Sequence, residues 1–159
     1  MIVHRASPLA AEGLRTDARV AEAQRLLLNA LAEHQQSLAG VRPALPERQV
    51  AYQELLDAFA AARGGNLFYP YIGSGLGRGA LVELADGSVK YDMIGGIGVH
   101  VMGHSHPALV SASLESALAD TVMQGNLQQN GESAALLRDL LAAAAATGAD
   151  LPHCFLSTS

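Results

Sequence analysis

The feature that most constrains this chain is the dipeptide Asp86-Gly87, set between the runs ALVEL and SVKYD. Two strand-forming runs joined through Asp-Gly predict an antiparallel hairpin, because the glycine supplies the positive φ that a tight reversal needs. Four alternate glycines, Gly73, Gly75, Gly77 and Gly79, lead into that hairpin. GLGRGA formally fits the G-x-G-x-x-A form of a dinucleotide loop. That loop works only when a helix follows at once and offers its N-terminal amides to phosphate, and here a hairpin follows instead. The glycines therefore predict flexible backbone running close to other parts of the chain.

Helical periodicity flanks the hairpin on both sides. From Thr16 to about Ala39, Val20, Leu27, Leu31 and Leu38 recur at helical spacing, with Thr16 or Asp17 placed to cap and Gly40 to terminate. Pro43 and Pro46 cannot continue that helix but can start another, in which Leu55, Leu56, Phe59 and Ala60 form an apolar stripe ending at Gly64 and Gly65. These helices could pair as a hairpin module or lie as an arm on a larger body. Pro107 opens a third helix with Val110, Leu114, Ala117 and Leu118 on one face. After the polar stretch MQGNLQQNGES, a fourth should bury Leu136, Leu137, Leu140 and Leu141 before Gly148, and LPHCFLSTS reads as a short strand.

Composition narrows the function classes. Half of the 159 residues are hydrophobic and 16% are charged, enough apolar material for a folded domain rather than a disordered chain. The net charge of -5 and the absence of any Lys or Arg cluster argue against nucleic acid or an anionic membrane as a partner. No run approaches the roughly 18 apolar residues of a spanning helix. A lone Cys154 and the lack of a signal segment after Met1 predict a reduced, cytoplasmic setting.

Several groups could carry chemistry. His100, His104 and His106 fall close enough to suggest a metal-dependent hydrolase, but Gly103 and Pro107 predict a turn rather than the helix that would align two of them, and nothing in the spacing brings Asp92 near. Histidines bonded to that turn are the alternative. His153 and Cys154, adjacent on a strand, should point to opposite faces, leaving Cys154 buried rather than activated. The chain has nine Arg but one Lys, Lys90, beside the hairpin turn, where a solvated surface position is expected.

Gly77, Gly79, Asp86, Gly87, Tyr91, Asp92, Gly96, Ile97, Gly98, Val99, Gly103, His104, His106 and Pro107 occur in an order that resembles the class III pyridoxal-phosphate aminotransferases, the group of ornithine, acetylornithine and 4-aminobutyrate aminotransferases. The likeness loosens through MQGNLQQN and tightens at HCFLSTS. It implies an α/β protein, α+β in the segment present. N-terminal helices would occupy residues 1–65, a small-domain hairpin, turn and helix residues 66–130, and the start of a fold type I cofactor-binding domain residues 131–159. By the same resemblance Ser159 would begin the cup for the phosphate of pyridoxal 5'-phosphate, and Asn126 would lie near the cofactor. Tyr69 or Tyr71 would shape substrate specificity, and Ile97 and Gly98 would approach the substrate.

The family's Schiff-base lysine, its pyridine-pairing aspartate and its stacked aromatic all fall beyond Ser159. The implication is an N-terminal fragment of a homodimeric, cytoplasmic enzyme that moves an amino group between an amino donor and a keto acid, with no activity of its own. A stand-alone, non-catalytic interaction module built on the same fold fragment is the competing expectation.

Overall fold

A computed structural model describes residue 7 and residues 9–119 and 130–156. The chain divides into two compact units, Met1–Glu115 and Ser116–Ser159. The described residues form a mixed α/β structure of five helices and one small antiparallel sheet.

The helices begin where short polar or proline signals allow. A short helix, α1 (Ala10–Arg15), comes first and was not expected. Helix α2 (Ala18–Gln35) follows, and the Asp17 carboxylate accepts the Arg19 backbone N–H at 2.8 Å, satisfying one of the open donors at its N-terminus. The covered positions of α2 are Val20, Gln24, Leu28, Leu31 and Gln35, three or four residues apart, and Leu38 is buried just past its end. The apolar face is thus turned slightly from the expected one, and Leu27 is 54% exposed. Pro46 opens a 3-10 turn (Pro46–Arg48) that runs into α3 (Gln49–Arg63), which Gly64 ends in the left-handed conformation at φ 78°. Tyr52, Leu56 and Ala60 form the half-covered stripe of α3. Helix α2 packs on β1, and α3 packs on the 3-10 turn that precedes it.

The sheet has the order β1 (Gly73–Arg78), β2 (Leu81–Leu84), β3 (Val89–Tyr91), antiparallel throughout. The expected hairpin is β2–β3, with Leu81 opposite Tyr91 and Glu83 opposite Val89. Its four-residue loop, residues 85–88, uses Gly87 at φ 80°, and Asp86 Oδ1 accepts the Ser88 N–H at 2.8 Å. The glycine run is itself a strand, β1, irregular between Gly73 and Gly77.

Residues before the 3-10 turn seal the other edge. Arg42 and Val89 exchange backbone hydrogen bonds at 3.1 Å each way, the Arg42 Nε donates to Gly87 O at 2.8 Å, and its guanidinium meets Glu83 at 2.5 Å. Leu38, Leu84 and Val89 are the buried apolar side chains among the described residues, joined by Gln35 and Ser88.

Helix α4 (Pro107–Ala117) starts at the expected proline. In the second unit, α5 (Gly131–Ala146) is capped by Asn130, whose side chain accepts the Ser133 N–H, and is followed by Gly148 at φ 83°. Its expected buried stripe is covered only in part: Leu137 and Leu141 are half-buried, while Leu136 is 47% and Leu140 44% exposed. Residues 151–156 form no strand, since a strand needs a hydrogen-bonded neighbour and none is present among the described residues. Cys154 there is half-buried rather than buried. No described helix is long and apolar enough to cross a membrane.

Candidate functional site

The segment from Asp92 to His106 is the most constrained part of the first unit. Asp92 closes β3, and its Oδ1 accepts the N–H groups of Ile94 and Gly95, both at 2.9 Å. Gly95, Gly96, Ile97 and Gly98 then hold φ values of 59°, 61°, 58° and 88°, a left-handed turn tied by Ile97 N to Ile94 O at 3.2 Å and Gly98 N to Gly95 O at 3.1 Å. L-residues avoid that region because Cβ crowds the following carbonyl, so three of the four positions are glycine. Ile97 is the exception. A β-branched side chain at positive φ is strained, and this one is 93% exposed, so no burial within the described residues offsets the strain.

The chain returns by crossing the start of the sheet. His104 N donates to Gly79 O at 2.9 Å, and Gly103, at φ 90°, lies so close that an added Cβ would meet Gly79 Cα at 2.7 Å. An added Cβ on Gly77 would collide with the His104 side chain. Close approach, rather than phosphate binding, therefore accounts for Gly77 and Gly103.

The crossing also brings together residues the sequence kept apart. Asp92 N donates to Ala80 O at 2.8 Å, so β3's end and the His104 return meet at the same Gly79–Ala80 turn. The outcome is a 2.7 Å contact between His104 Nε2 and Asp92 Oδ2, which corrects the expectation that Asp92 has no enforced neighbour. Donation from Ile94 N–H, from His104 and from Gly95 N–H holds the Asp92 carboxyl down at about 2. A carboxylate so engaged holds a turn and is poorly placed to accept a substrate proton.

The other histidines also have local partners. The His100 ring lies 4.1 Å from that of His104, and His106 Nδ1 accepts the Ala108 N–H at 3.2 Å at the start of α4. Among the described residues, no three His, Cys, Asp or Glu side chains converge as metal ligands.

Tyr69 and Tyr71 are brought together on a second surface. Tyr71 N donates to Tyr69 O at 2.8 Å across Pro70, and the two rings stand 6.2 Å apart and nearly parallel at 4°. Phe68 sets its edge against Tyr69 at 4.7 Å, and both tyrosines are 59% exposed. Lys90 is exposed as expected, with Nζ 5.9 Å from the Tyr71 ring centroid. No ring contact or hydrogen bond joins this pair to the Ile97–Gly98 turn among the described residues. Asn126 and Ser159 lie outside the described residues.

Two residues that hold these surfaces carried no functional reading in the sequence. Buried Gln35 donates from Nε2 to Gly77 O at 2.7 Å and to Ser105 O at 3.1 Å. Tyr52 binds the backbone on both sides of Tyr71. A glutamine within the apolar stripe of α2 was the available signal for the first.

The chain is similar to acetylornithine aminotransferases. That of Mycobacterium tuberculosis strain H37Rv is 39% identical over 75 residues, covering 46% of this chain and 18% of that protein. The enzyme of Corynebacterium efficiens is 47% identical over 36 residues, 23% of this chain and 9% of that one. The enzyme of Mycolicibacterium smegmatis is 50% identical over 36 residues, with the same shares. The chain therefore spans less than a fifth of the length of the curated relatives it matches. No family model matches it, and no solved structure does.

Proposed function

We propose that this chain is the N-terminal part of a class III, pyridoxal-phosphate-dependent aminotransferase that works as a cytoplasmic homodimer and moves an amino group from an amino donor to a keto acid. The observation that carries the reading is the likeness to acetylornithine aminotransferases at 39% identity over 75 residues. The turn at Gly95–Gly98 supports it: a strained, exposed Ile97 on a rigid, bonded loop suits a surface that meets a substrate.

The described residues do not themselves fit the cofactor. Lys90, the one side-chain amine, is exposed, and Asp92 is already bonded to two amides and His104. The cofactor-side assignments therefore fall on Asn126, Ser159 and residues beyond this chain, and no chemical step is assigned to the residues described here.

The test is to express the continuous reading frame that contains this chain, supply pyridoxal phosphate, and measure glutamate formed from 2-oxoglutarate with acetylornithine, ornithine or 4-aminobutyrate as donor. Transfer from any of them supports the reading, and acetylornithine is the expected donor. No transfer from all three refutes it. In that event the exposed Met93, Ile97 and Val101 favour the second reading, a non-catalytic interaction module.

A further inference from the structure

We infer that the N-terminal helices are a two-point positioning device, in which Tyr52 sets the Tyr69–Pro70–Tyr71 segment and Gln35 sets the crossing from which the Ile97–Gly98 turn hangs. What those surfaces do for substrate rests on the aminotransferase reading; the positioning itself does not.

The first point is a single oxygen. Residues 66–72 have no regular structure, and Pro70 has no N–H to offer. Within the segment Tyr71 N bonds Tyr69 O, and at its end Ile72 O receives Ala85 N at 2.8 Å. The Tyr52 hydroxyl supplies the rest: it donates to Pro70 O at 2.7 Å and accepts Ile72 N–H at 2.9 Å. Tyr71 is thus gripped from both sides by an atom that α3 carries, and its ring stands parallel to that of Tyr69.

The second point is a single amide nitrogen. Gln35 Nε2 spends its two N–H groups on Gly77 O and Ser105 O, bridging β1 to the chain that returns from the turn. Gly77 N donates back to Ser105 Oγ at 3.3 Å, completing the link. Gln35 is 7% exposed, so removing its donor leaves two carbonyls short of a partner with little water to replace it. Neither residue belongs to the sheet or to the turn, and both reach across from helices that precede them.

The experiment is amide hydrogen exchange by NMR on this chain and on the variants Tyr52→Phe and Gln35→Met, each of which deletes hydrogen-bonding capacity while keeping most of the side chain's bulk. Tyr52→Phe should speed exchange at Ile72 N–H by about fivefold, and Gln35→Met should do the same at His104 N–H. Leu84 N–H, bonded to Ser88 O across the hairpin loop, is the reference and should not move. Unchanged exchange at the reporter amides overturns the inference, and so does an equal rise at Leu84, which would mean general loosening. Should Gln35→Met fail to fold, Tyr52→Phe decides alone.

In the longer protein, if it transaminates, both variants should raise the donor KM severalfold with kcat nearly constant. Unchanged KM would overturn the positioning role while leaving the aminotransferase reading intact. A longer protein that does not transaminate refutes that reading and leaves the exchange rates to decide the positioning.

Discussion

Gly77→Ala is the sharpest test of the crossing. The new Cβ would fall against His104 Cβ, 2.8 Å from Leu81 O and 2.9 Å from His104 Cγ. Two of those atoms are the Cβ and Cγ of a histidine whose ring is tied to Asp92 and the third belongs to the β2 backbone, so no flexible side-chain end can move aside. Relief must come from a backbone shift, and Gly77 O and N are bonded to Gln35 and to Ser105 Oγ. Overpacking of this kind costs about 1–3 kcal/mol, a large share of the roughly 5–15 kcal/mol that stabilises a domain. The control is Gly73→Ala, whose Cβ would have only ordinary contacts at 3.9 Å and whose φ is not positive. Urea unfolding followed by circular dichroism should lower the midpoint for Gly77→Ala with an unchanged slope, and a thermal scan should fall by about 2–4 °C for each kcal/mol lost. The control should stay within about 0.5 kcal/mol of the parent. If the two variants are equally stable, the close crossing of Gly77 and His104 is wrong.

Three further outcomes follow from the same geometry. Asp92 titrates in the fold at about 2 against an ordinary 3.8; a depressed carboxyl contributes stability that is complete above the unfolded value and lost as pH falls through the folded one. Acid unfolding of the parent should therefore steepen between about pH 4 and pH 2, and Asp92→Asn should flatten that limb; identical acid profiles would refute the role. Ile97→Asn should raise the thermal stability of the chain by about 1 kcal/mol, since Asn tolerates the left-handed region and a 93% exposed isoleucine forfeits little burial; a fall in the midpoint would remove the strain argument. Pyridoxal phosphate added to this chain should give no stable absorption band near roughly 410–430 nm, because exposed Lys90 has no desolvated setting; a band lost in Lys90→Ala would show otherwise.

What the sequence disclosed and what it withheld divide by distance along the chain. A cap at Thr16 or Asp17, a helix start at Pro43 or Pro46 and another at Pro107, a stop at Gly64 and a hairpin turn at Asp86-Gly87 are all effects of one residue on backbone within four positions; the structure takes Asp17 and Pro46 from the two pairs and keeps the rest in place. The bonds that make the candidate site are long-range: Gln35 reaches Gly77 across 42 residues, Tyr52 reaches Ile72 across 20, and Asp92 meets His104 across 12. A polar side chain does not encode which carbonyl it will find, so spacing alone could not pair them. The pattern was also blind to cover. Leu27, Leu136 and Leu140 satisfy a helical period, yet periodicity states only that a face is apolar, and burial needs a second surface to meet it. Gln35 shows how such a reading can be sharpened. It lies in register with Leu28 and Leu31 on the covered face of α2, where an unpaired amide would be costly, and so it had to be satisfied by backbone arriving from elsewhere. The glycines at 77 and 103 mark where that backbone comes in, because there the chain passes so close to backbone, of Leu81 and of Gly79, that a Cβ has no room. A polar residue within an apolar stripe and a glycine without a turn to explain it are two halves of one long-range contact.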